Sequence, residues 1–289
     1  MNNRLQIAIQ KKGRLADRSY ELLNRCGVEY ENHSDKLHIS CSSFPVDLLL
    51  LRDDDIPEYV QDGVADLGIV GENTIAERET IELTPVRKLG FGRCRLSIAG
   101  PESEAVSSLQ EMEGKRIATS YPRLLKRYLA AEGISAEIVE ISGSVEIAPS
   151  IKIADYIFDI VSTGNTLRFN RMAEYFPLMQ SEAVLIQSSR SQFNQEKEAI
   201  LGQLLGRIDS VLRAKASKYL MMNAKKEQLS NILRLLPSMK SPTILPLADD
   251  TMVSVHAVIP AERRWELMQS LQSSGASGIL VLQIDNLVP

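Results

Sequence analysis

The sequence predicts an α/β protein: two α/β lobes followed by a small ferredoxin-like domain. Three observations carry that prediction. Short apolar runs, such as residues 46–51 with a single Asp47 inside, alternate with helical stretches, the pattern of strands covered by helices on both faces. The pattern restarts near Arg95, which separates two lobes. The last quarter of the chain spells βαββαβ, the split order of a ferredoxin-like fold.

Composition sets the outer limits. With 289 residues, 44% hydrophobic and 24% charged, the chain can bury a real core and is neither disordered, collagen-like nor of low complexity. Its net charge is 33 − 37 = −4, so it lacks the basic field that draws nucleic acid or anionic membranes. No apolar stretch approaches the roughly 20 residues of a membrane span. The start, Met1-Asn2-Asn3-Arg4 followed by an alternating 5–9 segment, has no secretory apolar core, so a cytoplasmic location is expected. Cys26, Cys41 and Cys94 share no zinc-type spacing with one another or with His33, His38 and His256, and are read as small core residues.

Taken in order, residues 5–9 form a strand, and 15–26 a helix closed by Gly27. Residues 46–51 are a buried strand, 56–61 a short helix and 65–70 a strand. Asp55, with Glu58 three residues on, reads as the cap of that short helix. In the second lobe 95–99 and 115–120 are strands, 122–131 is a helix ending at Gly133, and 136–141 and 156–161 are strands. One more strand at 183–187 precedes a long helix at 195–215. The tail follows as strand 218–223, helix 227–236, strands 243–247 and 252–259, helix 262–273 and strand 279–284. Pro237, Pro242, Asp249-Asp250, Pro260 and Gly275 punctuate it. The domain limits are therefore 1–94 with 183–213 (lobe I), 95–182 (lobe II) and 214–289 (tail).

The most informative segment runs from Ala154 to Thr166. An apolar strand carries Asp159 and runs into Ser162-Thr163-Gly164-Asn165-Thr166. Hydroxyls and backbone amides turned by a glycine toward one point make a phosphate nest, and Asp159 is positioned to accept from ribose hydroxyls. An ordinary strand-to-helix turn is the alternative from the loop alone. The stretch resembles the phosphoribosyl-diphosphate (PRPP) loop of phosphoribosyltransferases, except that Phe158 stands where the usual form has a first acid. That departure is similar to the pattern of the ATP phosphoribosyltransferase family, which opens histidine biosynthesis. Other segments resemble the same family: Gln10-Lys11-Lys12-Gly13-Arg14-Leu15, Leu51-Arg52-Asp53-Asp54-Asp55-Ile56-Pro57, Asp66-Leu67-Gly68-Ile69-Val70-Gly71-Glu72-Asn73, Lys115 to Pro122, Gly143 to Pro149 and Ser241 to Leu247. Separated motifs in the right order are a far stronger signal than any one of them.

The resemblance implies a two-lobed catalytic part of the periplasmic-binding-protein type, with the active site in the cleft. It also implies an ACT-like regulatory tail, the long form of the family. The implied reaction joins N1 of the adenine of ATP to C1 of PRPP ribose and releases diphosphate, with Mg²⁺ as cofactor. No Ser-His-Asp set, HExxH or P-loop is present, and this reaction needs none. On this reading Asp159 and Glu146 are the catalytic carboxylates, and Ser162, Thr163, Gly164, Asn165 and Thr166 hold PRPP. Lys11, Gly13, Arg14, Arg52, Glu72, Asn73 and Tyr121 are the ATP contacts. For each, a plain alternative stands beside it: a solvated turn for Lys11 and Arg14, a lobe-interface aromatic for Tyr121, a core-edge acid for Glu146, and Mg²⁺ contact or loop capping for Asp53 and Asp54. In the tail, Asn223, Ser241, Thr243 and Ser277 match the positions that take histidine as feedback inhibitor, although an amide occupies position 223 where an acid is expected. Homo-oligomers, dimer and hexamer in exchange with the larger form less active, are implied as well. Two other readings remain at this point: a solute-binding protein, which has no use for the phosphate loop, and a different PRPP-dependent transferase, which lacks the adenylate motifs and tail.

Overall fold

The computed structural model describes residues 3–30, 36–78, 82–104, 106–237 and 241–288; His33 lies outside them. Contacts divide the chain into two compact units, one ending at Leu201 and the other beginning at Gly202.

The first unit holds both lobes. Lobe I is built from β1 (Leu5–Gln10), α1 (Ala16–Arg25), β2 (His38–Ser40), β3 (Val46–Leu51), α2 (Ile56–Gln61), β4 (Leu67–Gly71), α3 (Glu72–Ala76) and β5 (Leu83–Lys88). Lobe II follows with β6 (Cys94–Pro101), β7 (Arg116–Thr119), α4 (Pro122–Ala131), β8 (Glu137–Glu140), β9 (Tyr156–Val161), α5 (Asn165–Phe169) and β10 (Met172–Ser181). The chain then returns to the first sheet as β11 (Ala183–Ser188) and continues into α6 (Gln195–Lys215). Sheet order is β2-β3-β1-β4-β11-β5 in lobe I and β10-β6-β9-β7-β8 in lobe II. β3, β1 and β4 run parallel, as do β9, β7 and β8. The carboxyl ends of parallel strands therefore deliver the loops after β1, β3, β4, β7 and β9, where open α/β sheets collect ligands.

The apolar run at 46–51 tolerates its one acid because Asp47, 2% exposed, is met by Arg4, whose Nε donates to Oδ1 at 2.8 Å. Burial pushes the Asp47 carboxyl up, but hydrogen bonds from Arg4 and Ser40 and the charges of Arg4 and His38 outweigh it and hold the group below its ordinary range. Arg4→Ala strands that carboxylate. With Arg4 itself one-third exposed, a loss of about 2–3 kcal/mol is expected at neutral pH, less than for a fully buried pair. The contribution of a depressed carboxyl is present above its unfolded pKa and fades in acid, so urea melts of the two proteins converge as pH falls.

Asp55 corrects one expectation. It occupies the capping position of α2, but its side chain makes no cap bond; its backbone carbonyl accepts from Tyr59, and Glu58 pairs with Arg78 at 2.6 Å instead.

The second unit contains the rest of α6 and β12 (Ser217–Lys225), α7 (Leu229–Leu235), β13 (Thr243–Pro246), β14 (Met252–Pro260), α8 (Arg264–Ser273) and β15 (Ser277–Leu282). Its antiparallel sheet runs β13-β14-β12-β15, the ferredoxin-like, ACT-like order. Leu220, Met222, Val255 and Ile259 face α7 and α8 in its core. The division inside α6, upstream of the expected 213/214 limit, reflects local packing: Leu287 donates to the Ser210 carbonyl at 3.2 Å. Among the described residues no helix is long and apolar enough to cross a membrane.

Candidate active site

The loop after β9 shapes a cavity of about 340 Å³ lined by Arg14, Glu146, Asp159 and residues 162–167. Gly164, at φ +75°, turns the chain from strand into α5. Its left-handed backbone is the conformation that a β-carbon penalises. The base of the loop is fixed by Arg95 on β6, which pairs with Glu174 on β10 and donates through Nη1 to the Ser162 carbonyl at 3.3 Å. Glu174 in turn accepts from the Ser97 hydroxyl at 2.6 Å. The five residues 162–166 are thus presented from a braced edge.

Asp159 lies within β9, partly enclosed by its neighbours. Burial raises its carboxyl to about 6; the Glu146 charge adds to the rise and a backbone hydrogen bond from Ile160 opposes it. A carboxylate with a perturbed titration in a cleft is a functional candidate on physical grounds. The expected pair is therefore brought together: Asp159 and Glu146 face one cavity with the loop, and Arg14 supplies the positive charge opposite them. The Arg14 guanidinium is held by the Gly92 carbonyl, 2.5 Å from Nη1.

Next to this cavity lies a larger one, about 710 Å³, bounded by Thr74 and Glu77 from lobe I and by Ser120, Tyr121, Arg123 and Lys126 from lobe II. Tyr121 lines this larger cavity. Burial raises its phenol well above the ordinary value, and the Asp159 charge adds to that. The hydroxyl accepts from Asn73 Nδ2 at 3.1 Å, so the lobe-interface alternative describes where this ring sits.

Asn73 and Glu72 both have protein partners in this structure. Asn73 is 1% exposed and its amide is engaged at both ends, since Oδ1 accepts from Ser181 Oγ at 2.8 Å. Its folded-back side chain needs Gly71: a β-carbon there would stand 2.3 Å from Asn73 Oδ1. Glu72 is turned to the sheet edge, where Oε1 meets Lys88 Nζ at 3.0 Å and Oε2 accepts from the Glu182 amide at 3.1 Å. Lys11, Gly13 and Arg52 line neither cavity; Gly13 packs against the Gln10 side chain, and Arg52 is exposed.

Sequence reasoning missed Ser181 and Glu77, whose partners are far away in the chain, and weighed Asp53 only for metal or capping. Asp53 Oδ2 accepts from Thr74 Oγ1 at 3.1 Å, while the buried Oδ1 has no hydrogen-bond partner. Burial, helped by Asp54, raises this carboxyl, opposed by Thr74 and Arg14. A buried unpaired acceptor is costly unless a ligand satisfies it. Among the described residues no group of three or more His, Cys, Asp or Glu side chains could hold a metal ion.

In the tail, Asn223 and Ser277 are brought together: they are register partners, and Ser277 Oγ donates to the Asn223 carbonyl at 3.4 Å. Asn223 Oδ1 is buried without a partner. Thr243 pairs with His256 and Asn223 with Ser254, so Thr243 shares the helix-free sheet face with Asn223 but lies two strands away. Ser241 precedes β13 on that far edge. His256 stands between, its ring bonded to Tyr219 OH at 2.8 Å and Ser254 Oγ at 3.0 Å.

Comparison with known proteins identifies the family. Residues 52–210 match the family model described as ATP phosphoribosyltransferase, and 214–286 match that of the HisG C-terminal domain. An ATP phosphoribosyltransferase of Bacteroides fragilis is 46% identical over 284 residues, 98% of this chain and 99% of the relative. One from Cytophaga hutchinsonii is 46% identical over 288 residues, covering all of both chains. Among solved structures, a chain of the ATP phosphoribosyl transferase (HisG:HisZ) complex from Thermotoga maritima superposes with a TM-score of 0.60 at 28% identity, over 71% of this chain and 96% of that one.

Proposed function

Because the chain belongs to the ATP phosphoribosyltransferase family of histidine biosynthesis, we propose that it joins N1 of the adenine of ATP to C1 of PRPP ribose, releasing diphosphate. The observation that carries this reading is the cavity in which Asp159, Glu146 and the loop 162–166 converge beside Tyr121. Residues 162–166 take the 5-phosphate through hydroxyls and amides, and Asp159 accepts from the ribose hydroxyls. The anomeric carbon is then held with its bond to diphosphate directed away from the second chamber, which leaves its opposite face open to adenine. Positive charge develops on the ribose as that bond lengthens, and the Asp159 and Glu146 carboxylates stabilise it. Adenine approaches along Tyr121, which lines the larger chamber. The carbon–oxygen bond to diphosphate breaks as the N1–C1 bond forms. Mg²⁺, the cofactor the family resemblance implies, would be held chiefly by the polyphosphate oxygens of the substrates and would neutralise charge on the departing diphosphate.

The test is PRPP-dependent change in ultraviolet absorbance with ATP and Mg²⁺. Folded protein that gives no signal sinks the reading. Homo-oligomers, dimer and hexamer in exchange, belong to the same proposal and are checked by sedimentation.

For the tail we infer a histidine site at Asn223, whose orphaned oxygen accepts from the amino group, with Ser277 beside it. Histidine at a hundredfold excess over its dissociation constant adds about 2.7 kcal/mol to the binding-competent fold. The melting temperature of the tail therefore rises with histidine. Asn223→Ala removes that rise, while ATP and PRPP still bind. A tail indifferent to millimolar histidine returns the domain to an assembly role.

A further inference from the structure

Helix α4 begins without a cap of its own. Tyr121 at the capping position makes no side-chain cap bond, and Pro122 opens the helix without an N–H. The next two amides, Arg123 and Leu124, belong to the set that a helix start leaves unsatisfied. Both are taken by one carboxylate from lobe I: Glu77 Oε1 accepts from Arg123 N and Oε2 from Leu124 N, each at 2.9 Å. Glu77 directly follows α3, and the same short segment makes two more bonds to lobe II. The Ala76 carbonyl accepts from the Arg127 guanidinium, and the Asn73 amide donates to the Tyr121 hydroxyl. Residues 73, 76 and 77 fall on one side of a helical turn, and they meet 121, 123, 124 and 127 on the opposing helix.

A negative group at the start of a helix is favoured by the backbone dipoles as well as by the hydrogen bonds. Here that preference is satisfied across the cleft instead of within the sequence. Lobe II loses its only cap on α4 when the lobes separate. Tyr121, which immediately precedes the capped helix, lines the larger chamber.

We propose that Glu77 is a positioning residue: its carboxylate latches α3 of lobe I to α4 of lobe II and so fixes the closed spacing at which Tyr121 faces the Asp159 cavity. The kinetic consequence rests on the reading of Tyr121 as an adenine contact; the latch itself does not. Residues 162–166 all lie in lobe II and Arg14 alone lines their cavity from lobe I, so PRPP binding depends on the latch less than ATP binding does.

Spin labels report the latch directly, because Cys26, Cys41 and Cys94 are all buried. With labels on Asp62→Cys in lobe I and Glu132→Cys in lobe II, both exposed positions, the ligand-free protein is expected to give one narrow distance. Adding Glu77→Ala lengthens and broadens it, and Glu77→Gln, which keeps one acceptor, gives an intermediate distribution. In turnover, Glu77→Ala raises KM for ATP about tenfold, the scale of losing a helix cap, while calorimetry finds PRPP affinity reduced far less. An unaltered label distance in Glu77→Ala overturns the latch. So does equal weakening of both substrates with a lowered melting temperature, which marks a merely structural role. Should the unaltered protein fail to join ATP and PRPP at all, the proposed reaction falls while the label distances still decide the latch.

Discussion

Asp159→Asn is expected to stabilise the catalytic unit at neutral pH while lowering kcat/KM about 10²–10³-fold, the scale of losing charge-assisted hydrogen bonds to two hydroxyls. Both effects come from one cause. The carboxyl is raised from the ordinary 3.8 to about 6, chiefly by burial, with the Glu146 charge adding to it. Between those two values the unfolded chain is ionised and the folded one is not, so the unfolded state binds fewer protons and stability falls as pH rises. Above pH 6 the penalty is complete and amounts to about 3 kcal/mol at 1.36 kcal/mol per pH unit. Asparagine keeps the shape and can still accept from the Ile160 amide, but carries no charge to bury. Its advantage is absent below about pH 4, grows through pH 4 to 6 and is constant above. For a unit of this size that is a rise of about 6–10 °C in melting temperature.

Activity runs the other way. Only the ionised carboxylate accepts from both ribose hydroxyls, so kcat/KM of the natural protein climbs toward pH 6 and levels off, while the residual activity of Asp159→Asn is flat across the same range. Scanning calorimetry at pH 4.5 and 7.5, paired with the absorbance assay, checks both halves. A variant that is no more stable at pH 7.5 than the natural protein removes the claim that this carboxylate is held at a cost.

What was legible in the sequence follows the distance over which each feature is specified. Residues 122–131, 156–161 and 195–215 read correctly because periodicity, Pro122 and Gly133 act within a few positions, and the tail read as βαββαβ for the same reason. The strands that went unread, β2, β5 and β10, are all at sheet edges. β5 contains Pro85 and β10 contains Pro177, and both ladders shift register close by; a proline inside a run argues against a strand unless the strand is an edge. The site divides in the same way. The loop 162–166 and Asp159 are contiguous, so their chemistry is visible in one segment. The Ser181–Asn73–Tyr121 chain and the Glu77 cap join residues 46 to 108 positions apart, and no local pattern encodes them. Glu72 and Asn73 sit in a motif that looks like ligand contact, yet the fold directs one to Lys88 and buries the other, so a motif names the neighbourhood and leaves the orientation of each side chain to packing.

Replacing Gly164 separates the phosphate loop's geometry from its chemistry. A β-carbon at this position meets nothing within 4 Å, so the whole penalty of substitution is the left-handed backbone at φ +75°. For Gly164→Val, β-branched and poorly tolerated there, about 1–3 kcal/mol is expected, enough to lower the melting temperature by several degrees but not to unfold the unit. The loop escapes that strain by rotating, which turns the amides and hydroxyls of 162–166 away from their common point. PRPP affinity should then fall by about 10²-fold or more, since several charge-assisted hydrogen bonds to one phosphate are lost together. ATP, which touches none of these residues in the proposed arrangement, keeps its affinity. Gly164→Asn supplies the control, because asparagine enters the left-handed region at lower cost and adds a side chain into open space. It should retain PRPP binding within about tenfold of the natural protein. Calorimetric titration of PRPP into both variants therefore gives a graded series, glycine then asparagine then valine, if backbone conformation at 164 organises the phosphate site. Equal affinities in all three would mean that the loop is only the turn that joins β9 to α5.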